Sequence, residues 1–122
     1  MAIVKDCHFV GPTKKIISDF PDDVKLGIGQ ALFDAQIGRE AINVKALKGF
    51  GGRGVLEIVE DHDGDTYRAV YTLRFSTAVY VLHAFQKKSK SDIATPKHEL
   101  ELITKRMKDA EVWHKQLSTK GE

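Results

Sequence analysis

The apolar positions of this chain change period twice. Val24, Ile28, Ala31, Leu32 and Ala35 recur at helical spacing. Ser18 or Asp19 can cap that helix, Pro21 suits an early helical position, and Gly38 marks the stop. Gly27 and Gly29 oppose it by up to about 1 kcal/mol each. From Val55 onward the period shortens. Val55–Glu60, Thr66–Phe75 and Ala78–Gln86 read as three successive strands in an antiparallel meander. The first pair is joined by DHDGD, a turn built on Asp63-Gly64, and the second by Ser76-Thr77. The helical period then returns in Leu100, Ile103, Met107, Ala110 and Leu117, with Thr95 as N-cap and Pro96 at the first helical position. Two further segments carry weaker patterns. Ala2–Phe9 reads as a short strand ending at Gly11-Pro12, and Ala41–Leu47 as a short helix or turn before the loop KGFGGRG.

The order β-α-(α)-β-β-β-α predicts an α+β fold, a small antiparallel sheet with helices packed against it. Residues 1–122 make one domain, long enough for a modest core without disulfides or metals. Hydrophobic residues make up 42% and charged residues 30%, the balance of a globular domain. No apolar run approaches the roughly 20 residues of a membrane span, and MAIVKDCHFV turns polar too soon for a signal peptide. With a single cysteine, Cys7, the chain reads as cytoplasmic.

Net charge is only +2, so its distribution matters more than its size. Lys45, Lys48, Arg53, Arg68 and Arg74 form one basic stretch; Lys87, Lys88, Lys90, Lys97, Lys105, Arg106 and Lys108 form another. Acids gather in Asp19–Asp34 and Glu60–Asp65. One positive face would suit an anionic partner such as nucleic acid; the plain alternative is charge scattered around the surface. KGFGGRG lacks the Lys-Ser/Thr of a nucleotide loop and precedes a strand, so it reads as a mobile loop presenting Lys48 and Arg53. DHDGD lacks the twelfth-position glutamate of a calcium loop, where Val70 stands.

In TYRAVYTLR, Arg68 and Arg74 share a face with Val70 and Thr72. An arginine on a central strand needs an acid or a ligand; Glu57 or Glu60 is the acid at hand. In AVYVLHAFQKK, regular alternation puts Val79, Val81, His83, Phe85 and Lys87 on one face. Tyr80, Leu82, Ala84, Gln86 and Lys88 then fall on the other. Lys87 and Lys88 therefore diverge unless the strand ends or twists near Gln86. His83 is a candidate general base, although a lone histidine in a strand is more often structural. No Ser-His-Asp order, carboxylate pair or metal cluster stands out. Arg, Lys, His and Tyr are tools for phosphodiester chemistry, where cations stabilise charge in the transition state.

LKGFGGRGVLEI, YRAVY, LHAFQKKS and TPKHELELITKR, in that order across Lys45 to Met107, resemble the HigB-type, phage-protein-like branch of the RelE/ParE toxin superfamily. The resemblance implies a RelE-like fold, a twisted antiparallel sheet flanked by N-terminal helices and a C-terminal helix. It implies the toxin of a type II toxin–antitoxin pair, a metal-independent and cofactor-free mRNA interferase. Such an enzyme cleaves mRNA on the ribosome and is held by a helix-turn-helix antitoxin in a hetero-oligomer. Arg68 matches the family arginine at the scissile phosphate, and Lys87 and Lys88 match the basic pair after the last strand. His83 lies in the matching LHAF segment, Phe85 would support a base, and Lys48, Arg53 and Arg74 would contact RNA backbone. The ribonuclease branch carries a tyrosine near the C-terminus where this chain has Trp113 and His114, so the resemblance names no general base. Two other functions fit the same fold: a ParE-like gyrase inhibitor and a non-catalytic nucleic-acid-binding protein.

Overall fold

The hairpin at Asp63-Gly64 sets the centre of the sheet. A computed structural model describes residues 3–51, 54–88 and 95–120, with side chains through residue 118. Asp63 and Gly64 both take positive φ, 49° and 86°, which is the two-residue turn that matches strand twist. The turn joins β3 (Val55–His62) to β4 (Asp65–Thr72), and β5 (Ala78–Lys87) returns along β4. The α+β architecture holds. Two short strands complete a five-stranded sheet of order β1-β5-β4-β3-β2: β1 (Asp6–Phe9) and β2 (Val44–Ala46).

Both short strands differ from the sequence reading. Ala41–Leu47 holds a three-residue strand rather than a helix, because Val44, Lys45 and Ala46 pair with Ile58, Glu57 and Leu56 of β3. β1 starts at Asp6, pairs parallel with β5 and makes the sheet mixed. That pairing follows from the two helices standing between β1 and β2, which carry the chain across one face.

These helices are α1 (Thr13–Ser18) and α2 (Asp22–Gln36). α1 occupies residues that showed no helical period. Ser18 donates to the Lys15 carbonyl instead of capping α2, and Pro21 takes the N-cap position without a side-chain cap. Asp22 and Asp23 instead favour the positive end of α2. Gly38, at φ 84°, ends α2 as expected; its N–H reaches Ala35 and that of Arg39 reaches Asp34. Val24, Ile28, Ala31, Leu32 and Ala35 pack onto Leu56, Ile58, Ala69, Tyr71, Val79 and Val81.

α3 (Lys97–Lys120) covers the opposite face. Ile103, Met107 and Ala110 bury against Val55, Val70, Tyr80 and Leu82; full burial of one such aliphatic side chain contributes about 1.5–3 kcal/mol. Leu117 leaves the stripe at 40% exposure. Thr95 does not cap α3 with its hydroxyl, which donates to Glu57; the first helical bonds run to the Pro96 carbonyl.

Candidate functional site

Alternation on β5 breaks at Leu82. Val70 pairs with His83 while Tyr71 pairs with Val81, so Leu82 is an extra residue, a β-bulge. The bulge turns both Leu82 and His83 toward α3 and reverses the alternation beyond them. Phe85 then lies opposite Arg68 and Lys87 opposite Thr66. Directly opposed residues share a face, so Phe85 and Lys87 join Arg68 on the α3 side. β5 runs through Lys87 and ends there; Lys88 is exposed just past its end.

Arg68 is 2% exposed and Glu57 0%. They lie diagonally on β4 and β3, and Arg68 Nη1 donates to Glu57 Oε1 at 3.0 Å. Thr95 Oγ1 donates to the other carboxylate oxygen at 2.9 Å, and Lys45 Nζ stands 3.9 Å from Oε1. Two hydrogen-bond donors and a nearby ammonium thus compensate one buried carboxylate, as burial of a charge requires. Arg68 Nε finds no hydrogen-bond partner among the described residues. Of the two acids expected for Arg68, Glu57 is the one used. Glu60 turns to the other side, where Asn43 donates to it.

A cavity of about 210 Å³ opens over this pair, lined by Lys45, Ala46, Leu47, Lys48, Glu57, Arg68, Thr95 and Leu100. Its polar wall holds three cations against one carboxylate, a cradle suited to an anion. A larger hollow of about 550 Å³ lies on the outer face of α2, lined by Lys25, Leu26, Gly29, Gln30, Phe33 and Asp34. No buried polar group lines that hollow, so the smaller cavity is the candidate site.

The expected site residues separate into groups. Arg68 and Lys48 line the cavity together, and Lys87 shares their sheet face. Phe85 is 8% exposed, with its ring stacked on His83 at 5.3 Å. Arg74 is exposed in the turn after β4, with its guanidinium near Gly54. Arg53 lies outside the described residues.

His83 is 4% exposed and both ring nitrogens are engaged. Arg106 Nη1 lies 2.8 Å from Nδ1 and Glu99 Oε1 lies 2.9 Å from Nε2. Guanidinium can only donate, so Nδ1 accepts and Nε2 carries the proton toward Glu99. Burial pulls the His83 pKa below its ordinary value; Glu99 pulls it back up, while Arg106 and His98 push it down.

Sequence reasoning missed Lys45, Thr95, Glu99 and Arg106. The sequence placed Lys45 in a basic stretch with Lys48 and Arg68, but its place opposite Glu57 appears only once β2 pairs with β3.

Among the described residues no cluster of three metal-binding side chains occurs, and no helix is long and apolar enough to cross a membrane. No curated protein and no solved structure matches the chain. The family described as phage derived protein Gp49-like (DUF891) matches residues 15–108. That span contains both strands of the Glu57–Arg68 pair, the bulge and the first half of α3, and more than half of the 122 residues. The chain belongs to this Gp49-like phage-derived family, a RelE/ParE-like family of toxins from toxin–antitoxin pairs, which implies an antitoxin partner.

Proposed function

We propose that the chain is a HigB-type toxin and acts as a ribosome-dependent mRNA endoribonuclease that stops translation. One observation carries the reading: Lys45, Lys48 and Arg68 line one cavity beside the buried Glu57, three cations against one carboxylate. A phosphodiester bound there would meet that excess of positive charge. Attack of the 2′-oxygen on phosphorus, with departure of the 5′-oxygen, builds negative charge that a held arginine stabilises. Glu57 would orient Arg68, with Lys45 and Lys48 drawing in the RNA backbone, Lys87 extending the basic track along the α3 face and Lys88 adding charge past the end of β5. The partner would be a helix-turn-helix antitoxin, bound in a hetero-oligomer in the cytoplasm.

One observation favours a second reading. Arg68 is already ion-paired and almost wholly buried, which suits a non-catalytic nucleic-acid-binding protein using the pair as structure. Induction in bacteria with mapping of mRNA 5′ ends separates these. We expect new ends within translated codons during growth arrest, reduced about tenfold or more by Lys45→Ala with Lys48→Ala. Intact mRNA with DNA damage would indicate gyrase inhibition, and no growth effect would indicate the non-catalytic protein.

A further inference from the structure

The bulge on β5 is tied to α3 by three bonds, and the site lies just beyond it. Arg106 reaches the Leu82 carbonyl at 3.3 Å and His83 Nδ1 at 2.8 Å with the same nitrogen. Glu99, two turns earlier on the same helix, holds Nε2 at 2.9 Å. Glu99 and Arg106 are thus separated along α3 and close on one imidazole from both sides. The opposing residue on β4 is Val70, and the Phe85 ring stacks on the imidazole. The charged and titratable groups acting on His83 are Glu99, Arg106 and His98, all from α3.

We infer that His83 is a positioning residue, gripped in its neutral form by Glu99 and Arg106, that locks the bulge and thereby keeps Phe85 and Lys87 on the face of Arg68. The inference rests on the ribonuclease reading for its consequence, and it removes His83 from proton transfer. A proton acceptor needs a free lone pair at the reacting oxygen; the His83 lone pair is taken by a guanidinium. Loss of the grip would free the bulge to revert to regular alternation. A one-residue slip moves every side chain beyond it to the other face, carrying Lys87 away from Arg68. Protonation at Nδ1 would do the same, because an N–H there meets Arg106 with donor against donor.

The test uses the full chain with His83→Gln, His83→Leu and Arg106→Gln, each verified as folded by circular dichroism. Glutamine retains one N–H for Glu99 and one carbonyl for Arg106; leucine retains neither. Cleavage of ribosome-bound mRNA should stay within about threefold of wild type for His83→Gln and fall about tenfold or more for His83→Leu. Because burial lowers the His83 pKa, wild-type cleavage should fall only at pH below the ordinary histidine range, and His83→Gln should flatten that fall. Imidazole NMR gives a readout independent of RNA. His83 should titrate below the ordinary histidine range in wild type and move up in Arg106→Gln. A folded His83→Gln as inactive as His83→Leu would make His83 a catalytic residue and end the inference, as would a His83 that titrates normally. A low His83 pKa in a wild type that cleaves no mRNA would instead overturn the ribonuclease reading, and the lock with its stated purpose.

Discussion

Arg68 stands with Val59 opposite it on β3 and Phe85 opposite it on β5, and its guanidinium meets a carboxylate with no exposed surface. From the sequence, Arg68→Ala looks like a clean probe of activity. Burial changes that expectation. Removing the arginine leaves Glu57 charged and buried, supported among the described residues by Thr95 and by Lys45 at 3.9 Å. Breaking a buried pair from one side costs about 3–5 kcal/mol, a large share of the 5–15 kcal/mol typical of a domain. Arg68→Ala should therefore lower the urea midpoint steeply. Glu57→Gln with Arg68→Ala should recover part of the loss, since the amide carbonyl still accepts from Thr95 and no charge is stranded. A single variant that loses under about 1 kcal/mol would mean that water reaches Glu57. Activity is better probed at Lys45 and Lys48, which are exposed and whose removal strands no buried acid.

On α2, Gly27 and Gly29 look equivalent in sequence and are not equivalent in the fold. A Cβ at Gly29 meets nothing within 4 Å, whereas one at Gly27 would stand 2.4 Å from the Glu60 carboxyl carbon. Gly29→Ala should stabilise by about 0.5–1 kcal/mol through helix propensity alone. Gly27→Ala should gain less or nothing, because Glu60 must swing away from Asn43 to make room. Thermal melts of the two variants compare them directly; equal gains would show that Glu60 does not pack on α2. The same distinction between local and distant causes explains which elements were legible. The Asp63-Gly64 hairpin, α2 with its Gly38 stop and the α3 stripe are written in neighbouring residues. β2 exists only because β3 lies beside it, and β1 only because β5 does. The bulge at Leu82 has no local mark, since LHAF alternates acceptably; Arg106, 24 residues away, binds the displaced carbonyl. Missing the bulge put Phe85 and Lys87 on one face with Val79 and Val81. The register moves Phe85 and Lys87 beside Arg68 instead. Chemistry at Arg68 was legible in kind, a charge needing a partner, while the choice of Glu57 over Glu60 and the help of Thr95 required the assembled sheet.

Across the whole molecule a net charge of +2 hides an unequal arrangement. The outer helix α2 carries Asp22, Asp23 and Asp34 against Lys25, while Lys45 and Lys48 flank the cavity on the α3 side, Lys87 ends β5 and Lys88 follows it. Net charge alone would draw RNA weakly to any cationic side chain. A dedicated face would make the position of each lysine matter. Salt dependence distinguishes the two, because each phosphate contact on a single strand contributes about 0.7 to the slope of log affinity against log salt. Lys45→Ala with Lys48→Ala should lower that slope by about 1.4 in single-stranded RNA binding. Lys14→Ala with Lys15→Ala removes the same charge from α1, on the opposite side of the sheet, and should leave the slope unchanged. Equal losses from both pairs would mean that RNA answers to net charge and that the cavity over Glu57 and Arg68 has no claim on it. A slope reduced only by the first pair would tie RNA binding to the cavity where Lys45 and Lys48 stand beside the Glu57–Arg68 pair.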